Sequence, residues 1–209
     1  DDEDSLDSMG YCTKSILSSK YEEVNVDNVA SQQKHLSQRQ QQDLAAVLKQ
    51  HTKLFSGKLG LYRDAKFISR QLEPGAKPIS SRPYGVSKMH KALFKEELDR
   101  LEKDGVLSRT GASKWLSPTF IIPKKDGRVR WVSNFCALNK VIKRKVKNLP
   151  RIQDILSCCT GYQYFSKIDI SMQYYMFELD ESSKELCTIC TPFGIYQYNH
   201  LPLGVKQSP

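Results

Sequence analysis

Two groups of residues have types and spacings that could do chemistry. The first is basic. Between positions 109 and 151 stand twelve Lys or Arg residues, from Arg109 to Arg151, against one acid, Asp126. So dense a stripe is the electrostatic footprint expected where phosphate is held. A solvated basic surface has the same composition, so charge alone leaves nucleic-acid binding open. The second group is Cys187-Thr188-Ile189-Cys190, the spacing of half a zinc site. A structural zinc needs a second ligand pair, and no further Cys or His stands at a suitable distance. With Leu186, Thr188 and Ile189 around them, the two cysteines are expected in a buried strand. The scattered Cys12, Cys136, Cys158 and Cys159 fit reduced thiols in an intracellular protein.

The surrounding chain must supply a scaffold for these groups. It has 209 residues, 39% hydrophobic and 26% charged, with a formal net charge of +9. That composition excludes a collagen-like or wholly disordered chain and is enough for one good core or two small ones. No apolar run approaches the roughly 18–20 residues needed to cross a bilayer, and no membrane partner is expected. The start carries no basic and apolar leader pattern, and the chain opens on Asp1 without an initiator methionine. A piece of a longer product is expected. Residues 1–30 hold eight acids and two bases, whereas 31–209 hold thirty bases and fifteen acids.

Residues 1–35 are acidic and short of large apolar side chains, and read as a disordered tail or linker. A connecting region over 36–79 follows. Its helix is capped by Ser37 with Gln40 as the reciprocal partner, and Leu44, Val47 and Leu48 recur at helical spacing. A short strand is expected over 67–72 and a turn at Glu73-Pro74-Gly75. From residue 80 a second helix starts after Ser87, shows Phe94, Leu98 and Leu101 on one face, and stops at Gly105. Strands at 119–123 and 129–135 flank Lys124-Lys125-Asp126-Gly127, a strong hairpin signal. A helix is expected near 150–156, where Pro150 suits the first turn. A strand follows over 164–170, then a hairpin around Pro192-Phe193-Gly194. Helices and strands mix without strict alternation, so the class is α+β.

Several of these segments, in this order, resemble one family. Ser117-Pro118-Thr119-Phe120-Ile121-Ile122-Pro123-Lys124-Lys125-Asp126-Gly127 looks like the fingers hairpin of reverse transcriptases, and Ala137-Leu138-Asn139-Lys140 like the stretch after it. Phe165-Ser166-Lys167-Ile168-Asp169-Ile170-Ser171 resembles polymerase motif A. Leu201-Pro202-Leu203-Gly204-Val205-Lys206-Gln207-Ser208-Pro209 resembles the start of motif B. The whole is similar to the reverse transcriptase of gypsy-type LTR retrotransposons from about residue 80 onward. The resemblance implies the fingers and the N-terminal part of the palm of a right-hand polymerase, truncated, over 80–209.

It also implies a chemistry. The family joins nucleotides by phosphoryl transfer with two divalent metals, Mg²⁺ or Mn²⁺. Hard cations want carboxylate oxygens. Asp169 matches the catalytic metal ligand, and the Ile170 carbonyl the additional one. Lys124 matches the lysine that approaches the γ-phosphate, and Arg130 the arginine that grips the α-phosphate with its planar fork. Tyr174, five residues after Asp169, matches the aromatic that excludes a 2′-hydroxyl. Leu203 and Gly204 match motif B residues near the nucleotide and the template base. Implied partners are an RNA or DNA template-primer, deoxynucleoside triphosphates, and the protease, RNase H and integrase regions of one polyprotein.

The sequence departs from the family at three places, one of them Lys147-Asn148-Leu149-Pro150, where the family tends to have a Pro-rich approach to the next helix. Where the family reads Asp-Phe/Tyr-Arg, this chain has Asn134-Phe135-Cys136, which loses an acid and a guanidinium. The Tyr-x-Asp-Asp motif that carries the remaining catalytic aspartates is not among the 209 residues. One carboxylate cannot hold two metals, so this chain alone is expected to lack polymerase activity. The alternative is a catalytically silent, basic nucleic-acid-binding remnant of a transposable element. A basic interaction domain unrelated to nucleic acid does not account for the motifs.

Overall fold

Ser37 accepts a hydrogen bond from Gln40 N while Gln40 Oε1 accepts one from Ser37 N, the reciprocal cap expected from their spacing. This cap starts helix α2 (Gln38–Gln50). The protein, a computed structural model, is described over residues 23–62, 67–123, 129–144, 150–170 and 172–206. It divides into two compact units, Asp1–Lys58 and Leu59–Pro209.

In the first unit, helix α1 (Val26–Ser31) precedes α2. Asn25 caps α1 by accepting from Asn28 N at 3.0 Å, and Val26 and Ala30 are buried. The expected tail over 1–35 therefore contains a helix, because a good cap and two small apolar residues suffice to start one against α2. Residues 1–22 lie outside the described residues. A single 3₁₀ turn (Thr52–Phe55) ends the unit, and Val24 N donates to Phe55 O at 2.9 Å. The boundary between the two units falls after Lys58.

The second unit is built on a sheet. Helix α3 (Lys88–Lys103) buries Phe94, Leu98 and Leu101, the face expected from their spacing. It ends in a Schellman arrangement. Gly105 N donates to Glu102 O and Val106 N to Leu101 O, with Gly105 at φ +75°. The strands are β1 (Leu107–Arg109), β2 (Ser117–Pro123), β3 (Val129–Ser133), β4 (Thr188–Thr191) and β5 (Gly194–Tyr198). Among the described residues they form one five-stranded sheet in the order β1-β5-β4-β2-β3. All neighbours are antiparallel except β2 and β4, which run parallel through Ser117↔Ile189 and Pro118↔Cys190.

The β2–β3 hairpin forms as expected, with Thr119 opposite Ser133 and Pro123 opposite Val129. Its turn, with Lys124 and the Asp126-Gly127 pair, lies outside the described residues. Short helices complete the unit: α4 (Cys136–Val141), α5 (Ile152–Ser157) and α6 (Glu181–Leu186). The core gathers Leu98, Leu101, Leu107, Phe135, Leu138, Leu179, Ile189 and Tyr198 between α3, α4 and the sheet. Cys187 and Cys190 are buried free thiols beside and within β4, as their neighbours suggested.

Two expected strands are absent. Residues 67–72 make only isolated bridges, Ile68 to Leu179 and Leu72 to Ile142. Residues 164–170 form no strand and stay exposed on both sides. Tyr164, Phe165, Ile168 and Ile170 are 67%, 68%, 85% and 54% exposed. A strand is defined by the ladder it shares, and no described segment supplies one here.

Candidate functional site

The site grows from β3. Its side chains alternate, so Trp131 and Ser133 share one face and Arg130 and Val132 the other. A buried hydroxyl chain fixes the inner face. Thr119 Oγ1 meets Ser133 Oγ at 2.9 Å, and Ser133 Oγ meets the Tyr198 hydroxyl at 2.9 Å. Trp131 Nε1 donates to the same hydroxyl at 2.9 Å. Burial pushes the Tyr198 phenol up to about 12, against the opposing pull of its hydrogen bonds from Ser133, Trp131 and Tyr175. Tyr198 therefore stays neutral and acts as the pin that sets the height of β3.

Beside this pin lies a cavity of about 110 Å³ lined by Arg130, Trp131, Val132, Ser133, Tyr175, Tyr198, Leu203 and Gly204. Three residues singled out in the sequence, Arg130, Leu203 and Gly204, thus line one cavity although more than seventy positions separate Arg130 from the other two. Gly204 sits at φ +90°, a conformation that L side chains rarely adopt, close to the Ser133 carbonyl. Tyr174 is half-buried in the 3₁₀ turn Gln173–Met176 and packs against the core. The next residue, Tyr175, is the one that lines the cavity, stacked on Tyr198 with ring centroids 6.3 Å apart. The turn is entered through Met172 in the left-handed region at φ 55°.

Asp169 and Ile170 are not among the cavity's lining residues. Both are exposed in the uncovered segment before that turn. Lys124 lies outside the described residues. No group of three or more His, Cys, Asp or Glu that could hold a metal occurs among the described residues. One carboxylate and one carbonyl are too few donors for a two-ion site, so the residues described do not fit that pair of metals.

Three further residues carry structure that their sequence context did not signal. Asn134, at the departure from the family pattern, donates through Nδ2 to the Tyr84 hydroxyl at 2.8 Å, and its Oδ1 accepts from Cys136 N at 3.1 Å. Tyr84 in turn packs edge-on against Phe120, 5.6 Å between centroids. Asn134 so ties the segment before α3 to the hairpin and leads the chain into α4. Asn199 links β1 to β5's end, donating to Gly105 O at 2.9 Å and accepting from Ser108 Oγ at 3.2 Å. Asn139 holds the loop that contains Gly204. Only the short contexts Asn-Phe-Cys, Leu-Asn and Tyr-Asn mark these positions in sequence, and most of their partners lie far along the chain.

No family model matches this chain. It is 34% identical over 159 residues to an uncharacterised protein of Caenorhabditis elegans, a match covering 75% of this chain and 12% of that protein. It is 29% identical over 145 residues to the enzymatic polyprotein of cauliflower mosaic virus (strain Strasbourg), covering 68% and 21%. Against the transposon Tf2-3 polyprotein of Schizosaccharomyces pombe the identity is 26% over 132 residues, covering 63% and 10%. The chain spans about a tenth to a fifth of the length of these relatives.

Among solved structures, the prototype foamy virus protease-reverse transcriptase superimposes with a TM-score of 0.76 at 21% identity, covering 88% of this chain and 25% of that one. A foamy viral protease-reverse transcriptase in complex with double-stranded DNA gives 0.72 at 20%, covering 88% and 32%. The protein therefore has a mixed α/β fold that resembles part of the foamy virus protease-reverse transcriptase. Its similarity to retroelement polyproteins fits a retroviral or retrotransposon Pol region.

Proposed function

We propose that this chain is the fingers and the first part of the palm of a gypsy-type LTR retrotransposon reverse transcriptase, and that its β3 cavity faces an incoming deoxynucleoside triphosphate. One observation carries the reading: Arg130, Leu203 and Gly204 line a common cavity. An arginine fork beside a backbone loop suits a phosphate-bearing ligand, because guanidinium matches phosphate oxygens in pairs. Lys124 is assigned the γ-phosphate, and Tyr174 the sugar side. Substituting Tyr174 and Tyr175 separately tests the latter assignment, since selection against ribonucleotides must follow one ring. The parent polyprotein is assigned the RNA or DNA template-primer as substrate, with protease, RNase H and integrase regions alongside.

Mg²⁺ or Mn²⁺ belongs in this proposal to the complete parent enzyme. Asp169 and the Ile170 carbonyl are this chain's contribution to it. The chain alone is inactive because its donor set is incomplete. Primer extension on a homopolymer template with either metal tests this, and clear incorporation contradicts it.

The second reading, a silent nucleic-acid-binding remnant, draws on the basic stripe over 109–151. A gel-shift series tests whether it binds at all. Both readings expect a shift that weakens as salt rises, through counterion release. No shift with any duplex or single strand at low salt removes the remnant reading.

A further inference from the structure

We propose that Asn139 is the positioning residue of the β3 cavity, holding the loop 203–206 in the shape that completes the cavity lining beside Arg130. Val205 anchors the loop in the core at 2% exposure, but Leu203 is 49% exposed and Gly204 is exposed, so side-chain burial does not orient the backbone at 203–204. Asn139 supplies what burial does not. Its Nδ2 donates to Gly204 O at 2.7 Å, and its Oδ1 accepts from Lys206 N at 2.6 Å. One planar amide thus takes both a backbone acceptor and a backbone donor of the same turn.

The partners fix the orientation of that amide. A carbonyl can only accept and a backbone N–H can only donate, so a single flip state of Asn139 satisfies both. Aspartate at 139 keeps the acceptor and sets an oxygen against the Gly204 carbonyl. Alanine keeps neither. Lys206 adds a third tie, donating through Nζ to Ile142 O at 2.9 Å, at the end of α4. A cation at a helix C-terminus is favourably placed.

The frame behind Asn139 is rigid. Helix α4 begins three residues after β3, and Phe135 and Leu138 are 1% and 2% exposed in the core. The same short segment therefore carries Arg130 at one end and the loop's clamp at the other. Any nucleotide that enters the cavity meets a lining whose shape Asn139 sets. This last step rests on the nucleotide reading given above.

The test uses the full 209-residue chain labelled with 5-fluorotryptophan. It has two tryptophans, of which Trp131 lines the cavity and Trp115 lies in the core. The two ¹⁹F lines are assigned with W131F. In Asn139→Ala the Trp131 line should shift while the Trp115 line stays, and amide exchange at Lys206 should speed about tenfold or more. Affinity for dATP in Mg²⁺ buffer should fall about five- to tenfold. Asn139→Asp, which keeps the volume should the alanine variant not fold, should keep the Lys206 amide protected, shift the Trp131 line and lose affinity.

An unmoved Trp131 line together with unchanged exchange overturns the proposal. So does unchanged dATP affinity in variants whose melting temperature alone has dropped, which is what a merely structural hydrogen bond gives. If the unaltered chain binds no dATP, the nucleotide reading fails. The Trp131 line and the Lys206 amide then still decide whether Asn139 shapes the cavity.

Discussion

Two regions of the second unit carry residues of the proposed nucleotide site, and they are built in opposite ways. The β3 cavity is walled by a strand paired along its length, pinned by Tyr198 and closed by a clamped glycine loop. The segment from α5 to residue 170 has neither ladder nor cover, and its large apolar side chains face solvent. Arg130 sits in the first region and Asp169 in the second. Side chains gain a fixed geometry only where distant segments converge on them. A patch of contiguous exposed apolar residues is a surface that ordinarily finds a partner.

The largest effect should separate the buried core that supports the first region from the exposed second region. Leu98 is fully buried, so Leu98→Ala should cost about 2–5 kcal/mol in urea unfolding. Ile168 is 85% exposed, so Ile168→Ser should change stability by no more than about 0.5 kcal/mol. A comparable loss in both would mean that residues 164–170 are covered in solution.

Tyr198→Phe should come next, at about 1–3 kcal/mol, because it leaves the Trp131 indole N–H without its acceptor and takes away one of the two hydroxyl partners of Ser133. It should also change the alkaline behaviour. Burial raises the folded phenol to about 12 from an ordinary value of 10.0, so the folded state keeps a proton that the unfolded chain has lost. The stability that this supplies is full below pH 10 and fades toward pH 12. The Cys187 thiol, likewise pushed up to about 12 by burial, fades over a window that opens lower, near 9.0. Equilibrium melts from pH 9 to 11 should show a shallower decline in the variant, not a flat one.

The smallest effect is acidic. Burial lowers the His200 imidazole, although Glu178 pulls the other way, and its Nδ1 is buried with no partner among the described residues. The unfolded chain takes up this proton first, so stability should fall as pH drops below the ordinary histidine value of about 6.5. His200→Gln should remove that part of the slope between pH 7 and 5. An identical slope in both proteins would show that His200 is already solvated.

Local signals account for much of this fold. The Ser37 cap, the α3 face and the Gly105 stop all act within a few residues, and all three are as the spacing predicts. So is the pairing of β2 with β3. What escapes a reading of the sequence is non-local. Alternating apolar residues over 164–170 carry strand propensity without a ladder to join. The α1 helix needs the buried packing of Val26 and Ala30 to stand out from an acidic tail. In the candidate site, Arg130, Leu203 and Gly204 were legible from motif resemblance. Tyr175, Asn139 and Tyr198 were not, because their partners lie tens of residues away. Neither Asp169 nor Tyr174 reaches the cavity wall.

The most direct measurement is a dATP titration of the full chain followed by tryptophan fluorescence, since Trp131 lines the cavity. Binding should saturate in the unaltered chain. It should weaken about 10- to 100-fold in Arg130→Ala, the loss expected for one charged hydrogen-bonding group on phosphate. It should be unchanged in Ile168→Ser, whose side chain is 85% exposed and has no assigned role. Equal affinity in Arg130→Ala and the unaltered chain, or a loss that follows Ile168→Ser instead, would contradict the assignment of the β3 cavity to the nucleotide.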